Sequence, residues 1–214
     1  MKEYVKIPNI FDRDLETRGH PLIPWKFATP ELEFLKDCEW TFTEKVDGTN
    51  IGVVWDGYRV SFQGRTEVAE IPKPLYEYLE SLFGGPENEE VFEKLFGEKE
   101  VILYGEGYGG KIGAAGPKYG GTKFILFDVM IGDLYLRRQD VEEIAAKFRI
   151  DVVPVVLRGT LADGVAFVTG HPKSTLADTI MEGVVGRPAV EMRDRRGYRV
   201  IVKIKQRDFP TPVA

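Results

Sequence analysis

The amino-acid sequence predicts one α+β domain of largely antiparallel sheets with flanking helices. Three observations predict it. Short β-rich apolar runs recur along the chain, helical spacing is confined to three segments, and several strand candidates follow one another through tight turns. That order is not the strand–helix alternation of a parallel βαβ fold. At 214 residues with 43% hydrophobic content, the chain suffices for one well-buried core, and a single domain over 1–214 is expected.

The elements follow in order. EWTFTEKV (39–46) alternates as a half-buried strand does. IGVVW (51–55) and YRVSFQG (58–64) flank Asp56-Gly57, a two-residue hairpin signal. PLYEYLESLFGG (74–85) and ENEEVFEKLFGE (87–98) have helical spacing, with Pro74 near the start of the first and glycines after both. EVILYGEG (100–107) and TKFILFDVM (122–130) read as buried strands, and Gly132-Asp133 turns the chain into LYLR. RQDVEEIAAKFR (138–149) is an amphipathic helix, and DVVPVVL (151–157) reads as one strand after it. MEGVVGRP, AVEMR and YRVIVKIK read as three strands, the last two joined by DRRG.

Composition excludes several chemistries. No apolar run has the length of a membrane span and MKEYVKIPNIFDRD has no signal-peptide core, so a cytoplasmic location is expected. Cys38 is the only cysteine, which excludes an internal disulfide and a cysteine metal site and leaves a buried thiol as the expectation. With only His20 and His171, histidine zinc clusters and Ser-His-Asp triads are poor candidates. Catalysis falls to Lys, Arg, Asp and Glu. The net charge of −5 argues against a surface that coats nucleic acid throughout. Locally, RDRRGYRVIVKIKQRD gathers Arg193, Arg195, Arg196, Arg199, Lys203, Lys205 and Arg207 against Asp194 and Asp208.

YGEGYGGKIG (104–113) matches a dinucleotide GxGxxG through Gly105, Gly107 and Gly110, and Gly110-Lys111 nearly completes a P-loop. Both motifs require a helix next, whose N-terminal N–H groups bind phosphate. Here KIGAAGPKYGGT follows, and its glycines and Pro117 oppose a helix. Ile112 stands where a P-loop needs Ser or Thr. The segment reads as a mobile glycine-rich loop beside a site.

Lys45 sits in Lys45-Val-Asp47-Gly48-Thr49-Asn50, between two strands. This Lys-x-Asp-Gly form resembles the first motif of the covalent nucleotidyltransferases, the superfamily of polynucleotide ligases and mRNA capping enzymes. Further resemblances follow in that superfamily's order: FQGRTE with Arg65, LYGEG with Glu106, FILFDV with Phe127, MEGVV with Glu182, and VKIK with Lys203 and Lys205. The resemblance runs from about Thr43 to Phe209 and points to bacteriophage-type RNA ligases of the nick-sealing, RNA-editing branch. Asn50, GGKIG and KIKQRDF carry that finer match.

The resemblance implies an adenylyltransferase fold and an ATP-dependent RNA ligase that uses Mg²⁺ or Mn²⁺ and joins RNA ends, nicked duplexes among them. It gives Lys45 the covalent bond to AMP and Glu182 the metal. Nucleotide contacts go to Glu44, Asn50, Arg65, Glu106 and Phe127, and phosphate contacts to Lys203 and Lys205. Period two along the last strand independently places Lys203 and Lys205 on one face, where an anion would satisfy them. A nucleophilic lysine must also be freed of its proton, which desolvation or nearby positive charge favours. A DNA nick ligase, a capping guanylyltransferase and a non-catalytic nucleotide- or RNA-end-binding module are the alternatives. The sequence ends soon after Lys205, so the separate C-terminal or OB domain of larger relatives is not expected.

Overall fold

The computed structural model describes residues 2–66 and 69–209. In chain order it contains β1 (Phe11–Arg13), β2 (Leu22–Phe27), α1 (Pro30–Phe34), β3 (Trp40–Glu44), β4 (Gly48–Trp55), β5 (Val60–Gln63), α2 (Lys73–Phe83), α3 (Pro86–Phe96) and β6 (Val101–Tyr108). It continues with β7 (Lys123–Ile131), β8 (Leu134–Tyr135), α4 (Arg138–Phe148), β9 (Asp151–Val152), β10 (Val155–Gly159), α5 (Leu161–Thr169), β11 (Gly183–Pro188) and β12 (Val202–Lys205). The fold is α+β, and its strand ladders are antiparallel apart from the β7–β9 pair. No helix among the described residues is long and apolar enough to cross a membrane. Two compact units share the chain: residues 1–4 with 47–153, and residues 5–46 with 154–214.

In the first unit the strand order is β5-β4-β6-β7-β8, with β9 beside β7. The hairpin forms, but its loop is not the two residues Asp56-Gly57: Trp55 pairs with Val60 across residues 56–59, Asp56 N–H donates to Arg59 O at 3.3 Å, and the Asp56 carboxylate accepts from the backbone N–H of Tyr58 and Arg59, each at 2.9 Å. Alternation then sends Ile51, Val53 and Trp55 to one face, where they form a core with Leu79, Phe83 and Phe92 of α2 and α3 and Val141 and Phe148 of α4. Trp55 stacks on Phe92 at 5.6 Å between ring centres, and its indole N–H donates to the Gly97 carbonyl at 2.8 Å. A buried indole therefore keeps its hydrogen bond. The opposite sheet face carries a smaller cluster of Ile102, Tyr104, Met130, Tyr4 and Phe127.

The second unit has a four-stranded sheet in the order β10-β3-β11-β12 and a two-stranded β1–β2 ribbon. Trp40, Phe42, Val184, Val202 and Ile204 of the sheet pack with Leu161 and Val168 of α5. Gly164 makes that packing possible, since a Cβ there would lie 2.5 Å from the Phe42 ring. Thr160 caps α5 in a reciprocal capping box with Asp163. Replacing Thr160 by Ala should cost about 1 kcal/mol of stability, measurable as a shift of the denaturant midpoint.

Three further expectations are corrected. DVVPVVL is two strands rather than one, because Pro154 has no N–H to give a ladder. Residues 151–152 pair with β7 in the first unit, and residues 155–159 pair with β3 in the second. AVEMR forms no strand: the hairpin at 192–200 is held by Asp194 N–H to Tyr198 O (2.7 Å) and Val200 N–H to Met192 O (2.9 Å). Cys38 is exposed rather than buried. Leu32 and Trp40 take the core positions on either side of it, which leaves the intervening turn in solvent.

Candidate active site

Three backbone pairings assemble one end of the four-stranded sheet. Lys45 follows β3 and donates its backbone N–H to Gly183 O at 2.9 Å, and Gly183 pairs in turn with Lys205. Gln206 N–H donates to Glu182 O at 2.8 Å. Lys45, Glu182 and Lys205 therefore lie in a row across β3, β11 and β12. Only glycine fits at position 183, where a Cβ would come 2.1 Å from the Ile204 carbonyl. That close approach brings Glu182 level with its two neighbours.

The Glu182 carboxylate bridges both lysines. Its Oε2 lies 2.6 Å from Lys45 Nζ and its Oε1 lies 3.2 Å from Lys205 Nζ. All three side chains retain some solvent access, with 23% of Lys45, 22% of Glu182 and 17% of Lys205 exposed. The cluster is thus open to a ligand, yet sheltered enough for its Coulomb terms to exceed those of surface pairs. Its formal charge is +1, from two ammonium groups and one carboxylate. Lys203 precedes Lys205 by two positions, so both lie on one face of β12 while Val202 and Ile204 enter the core.

Glu44, next to Lys45, is only 1% exposed. Its carboxylate accepts from the Ser174 hydroxyl, from Thr175 N–H at 2.9 Å and from the Thr175 hydroxyl at 2.6 Å. These bonds satisfy a buried charge and fasten the loop that leads to Glu182. No sequence motif announces Ser174 and Thr175, because a hydroxyl pair in a loop has no periodicity to betray it.

The remaining candidates belong to the first unit. Asn50 on β4 pairs directly with Glu106 on β6. Both lie opposite the helix-covered face that takes Ile51 and Leu103. The β6–β7 register shifts where Tyr104 pairs with Asp128 and Gly105 with Leu126, so Phe127 is the extra residue of a β-bulge. Its ring packs edge-on to Tyr4 at 5.0 Å, on the same face as Tyr104. Asn50, Glu106 and Phe127 therefore share one sheet face. Arg65 lies in an exposed bend just past the edge strand β5.

The glycine-rich segment forms no helix of the kind a P-loop or dinucleotide motif needs. It folds as turns and a short 3₁₀ helix over Gly116–Tyr119. Gly110 N–H donates to Gly120 O at 2.7 Å, and Ala115 N–H donates to the Asp47 carboxylate at 2.8 Å. Asp47 thus ties down this segment.

No group of three or more His, Cys, Asp or Glu side chains that could hold a metal occurs among the described residues. The donor set at the lysine cluster is a single available carboxylate, Glu182. That suits Mg²⁺, which is commonly held by one or two carboxylates together with substrate phosphates, and it does not suit an all-protein cage.

A family model described as RNA ligase matches residues 38–205. No curated protein matches the chain. Among solved structures, a point mutant of Naegleria gruberi RNA ligase with AMP and Mn aligns at 20% identity and a TM-score of 0.62, over 82% of this chain and 52% of that one. A second mutant, with ATP and Mn, aligns at 18% identity and a TM-score of 0.63, over 82% and 52%. A third, also with ATP and Mn, aligns at 17% identity and a TM-score of 0.63, over 95% and 60%. The chain thus spans little more than half the length of these structures, and the likeness establishes a shared fold.

Proposed function

The chain belongs to the RNA ligase family, and on that premise we propose that it is an ATP-dependent RNA ligase acting through a covalent lysyl-AMP intermediate on Lys45. The observation that carries the proposal is the row Lys45–Glu182–Lys205, an amine nucleophile beside a carboxylate and a second cation at distances of 2.6 and 3.2 Å. A binding module would need the cations but no amine held against the carboxylate at the end of the row.

In the proposed reaction the deprotonated Lys45 Nζ attacks the α-phosphorus of ATP, a P–N bond forms and the bond to pyrophosphate breaks. The RNA 5′-phosphate then displaces Lys45 and takes the AMP, and a 3′-hydroxyl displaces AMP to close the phosphodiester. Lys205 and Lys203 stabilise negative charge on phosphate oxygens in these transfers. Glu182 would hold a divalent cation, Mg²⁺ or Mn²⁺, which would supply further positive charge at the phosphates and occupy the carboxylate that otherwise pairs with Lys45. Glu44 keeps Lys45 in register through Ser174 and Thr175. Asn50, Arg65, Glu106 and Phe127 take the nucleotide contacts, with Phe127 stacking on the base. The adenylyltransferase domain spans 1–214, and RNA ends, nicked duplexes among them, are the substrate.

The test is incubation with Mg²⁺ and ATP or GTP, each labelled at the α-phosphate. Label from ATP, stable to denaturation of the protein and released by acid, is expected, with little from GTP. Preferential labelling by GTP would indicate a capping-type enzyme, and no labelling by either would indicate a binding module.

A further inference from the structure

Trp25 combines three features that core packing does not explain. Its φ is +62°, in the left-handed region that bulky side chains rarely adopt. Its side chain is 60% exposed, although tryptophan is highly buried on average. It is also supported from below, because its ring meets the Phe11 ring at 5.4 Å and 61°, and Phe11 is only 3% exposed. The β1–β2 register shifts between Phe11 and Arg13, and such a bulge accounts for a left-handed residue on β2, but not for a bulky aromatic ring at that position, held on a rigid base and facing water.

Its place in the second unit suggests what the ring is for. Asn9 bridges Lys203 in parallel, and Ile10 N–H donates to Lys203 O at 3.2 Å. Phe11 follows two residues after Asn9, past a bend at Ile10. Arg13 continues the track with an ion pair to Asp208 at 2.8 Å. The segment that leads into Phe11, on which Trp25 stands, is thus bridged to the strand that carries the phosphate-facing lysines. Lys26, the next residue, is 62% exposed and pairs with Asp12 at 3.1 Å.

We infer that Trp25 is a stacking platform for an unpaired base of the RNA being joined, at a subsite beside the Lys203–Lys205 phosphate track. Single-stranded RNA and strand ends are recognised largely by stacking of bases on aromatic side chains, and a neighbouring cationic track holds the backbone. The inference rests on the ligase reading for the identity of the polymer. Its energetic logic is separate: the left-handed position favours Gly or Asn, so a tryptophan there is retained for its ring.

Fluorescence tests it, because Trp40 and Trp55, the other tryptophans, are 0% and 2% exposed. Single-stranded RNA and nicked RNA duplex should quench the wild-type emission, whereas ATP alone should not. Trp25→Asn should abolish the quench and weaken binding of a dye-labelled RNA about ten-fold by anisotropy, the scale of one lost base stack. Its thermal midpoint should equal or exceed that of the wild type. Trp25→Phe should recover most of the RNA affinity. Tyr58→Ala, which removes an exposed aromatic from the first unit, should not change it.

The inference is overturned if RNA leaves the emission unchanged, if Trp25→Asn binds RNA as the wild type does, or if ATP alone produces the quench. It is equally overturned if Trp25→Asn converts a dimer to a monomer in sedimentation, since a second copy would then be the occupant. Failure of the ligase reading would show differently, as absence of the Lys45–AMP adduct in the wild type whatever the emission does.

Discussion

Glu182→Ala should lose adenylylation by roughly 10²-fold or more in a single-turnover assay with ATP and Mg²⁺, an effect of several kcal/mol on the barrier. The carboxylate is the only negative group in the bridge, with Lys45 Nζ at 2.6 Å and Lys205 Nζ at 3.2 Å. Its removal leaves two ammonium groups with no common counter-charge and takes away the metal ligand. Glu182→Gln keeps the shape and loses the charge, so it should be nearly as slow. A Glu182→Ala protein that retains the wild-type rate at low Mg²⁺ would place the metal elsewhere.

Lys45→Ala should form no adduct and seal nothing with ATP, yet still join an RNA whose 5′ end already carries AMP. That substrate bypasses the one step in which the Lys45 amine is the nucleophile. Lys203 and Lys205 act on phosphates that persist in the adenylylated strand. At least one of Lys203→Ala and Lys205→Ala should therefore slow sealing of the adenylylated RNA as well as of the ordinary substrate. Ligated product is compared at equal protein and low salt, where phosphate contacts are least screened. Wild-type sealing of adenylylated RNA by both variants would make β12 a solvated strand rather than a phosphate track.

Much of this arrangement is legible in the amino-acid sequence, for identifiable reasons. Asp56-Gly57 marks the β4–β5 hairpin, Gly57 through its φ of +102° and Asp56 through a carboxylate that accepts from Tyr58 and Arg59 N–H, although the loop spans residues 56–59 rather than those two alone. The alternation in VKIK sends Val202 and Ile204 to the core and both lysines to the other face, and the strand is built that way. Prolines and glycines bound α2 and α3 closely. The apparent phosphate motif at 105–110 is followed by turns and a short 3₁₀ helix rather than by an α-helix, and Gly105 and Gly107 lie within β6.

Other features depend on tertiary contacts that a linear pattern does not carry. The sequence pattern does not reveal α5, although Thr160 and Asp163 spell a capping box; Gly164 obscures the helical spacing and is explained only by the Phe42 ring against it. The continuous apolar look of 151–157 conceals a division at Pro154, after which the two halves join different sheets. Free cysteines are generally buried, but Cys38 lies in an exposed turn. Glu44 reads in sequence as one more nucleotide contact. Its bonds to Ser174 and Thr175, 130 and 131 positions away, give it the further task of holding a loop. Trp25 gives no signal, since its backbone angle and exposure have no counterpart in residue type.

The most direct test of the central claim is the intact mass of the protein after incubation with ATP and Mg²⁺, followed by peptide mapping of any adduct. The proposal predicts a gain of one AMP, located on the peptide that contains Lys45 and absent from Lys45→Ala. A gain that persists in Lys45→Ala, or an AMP mapped to another side chain, would contradict it.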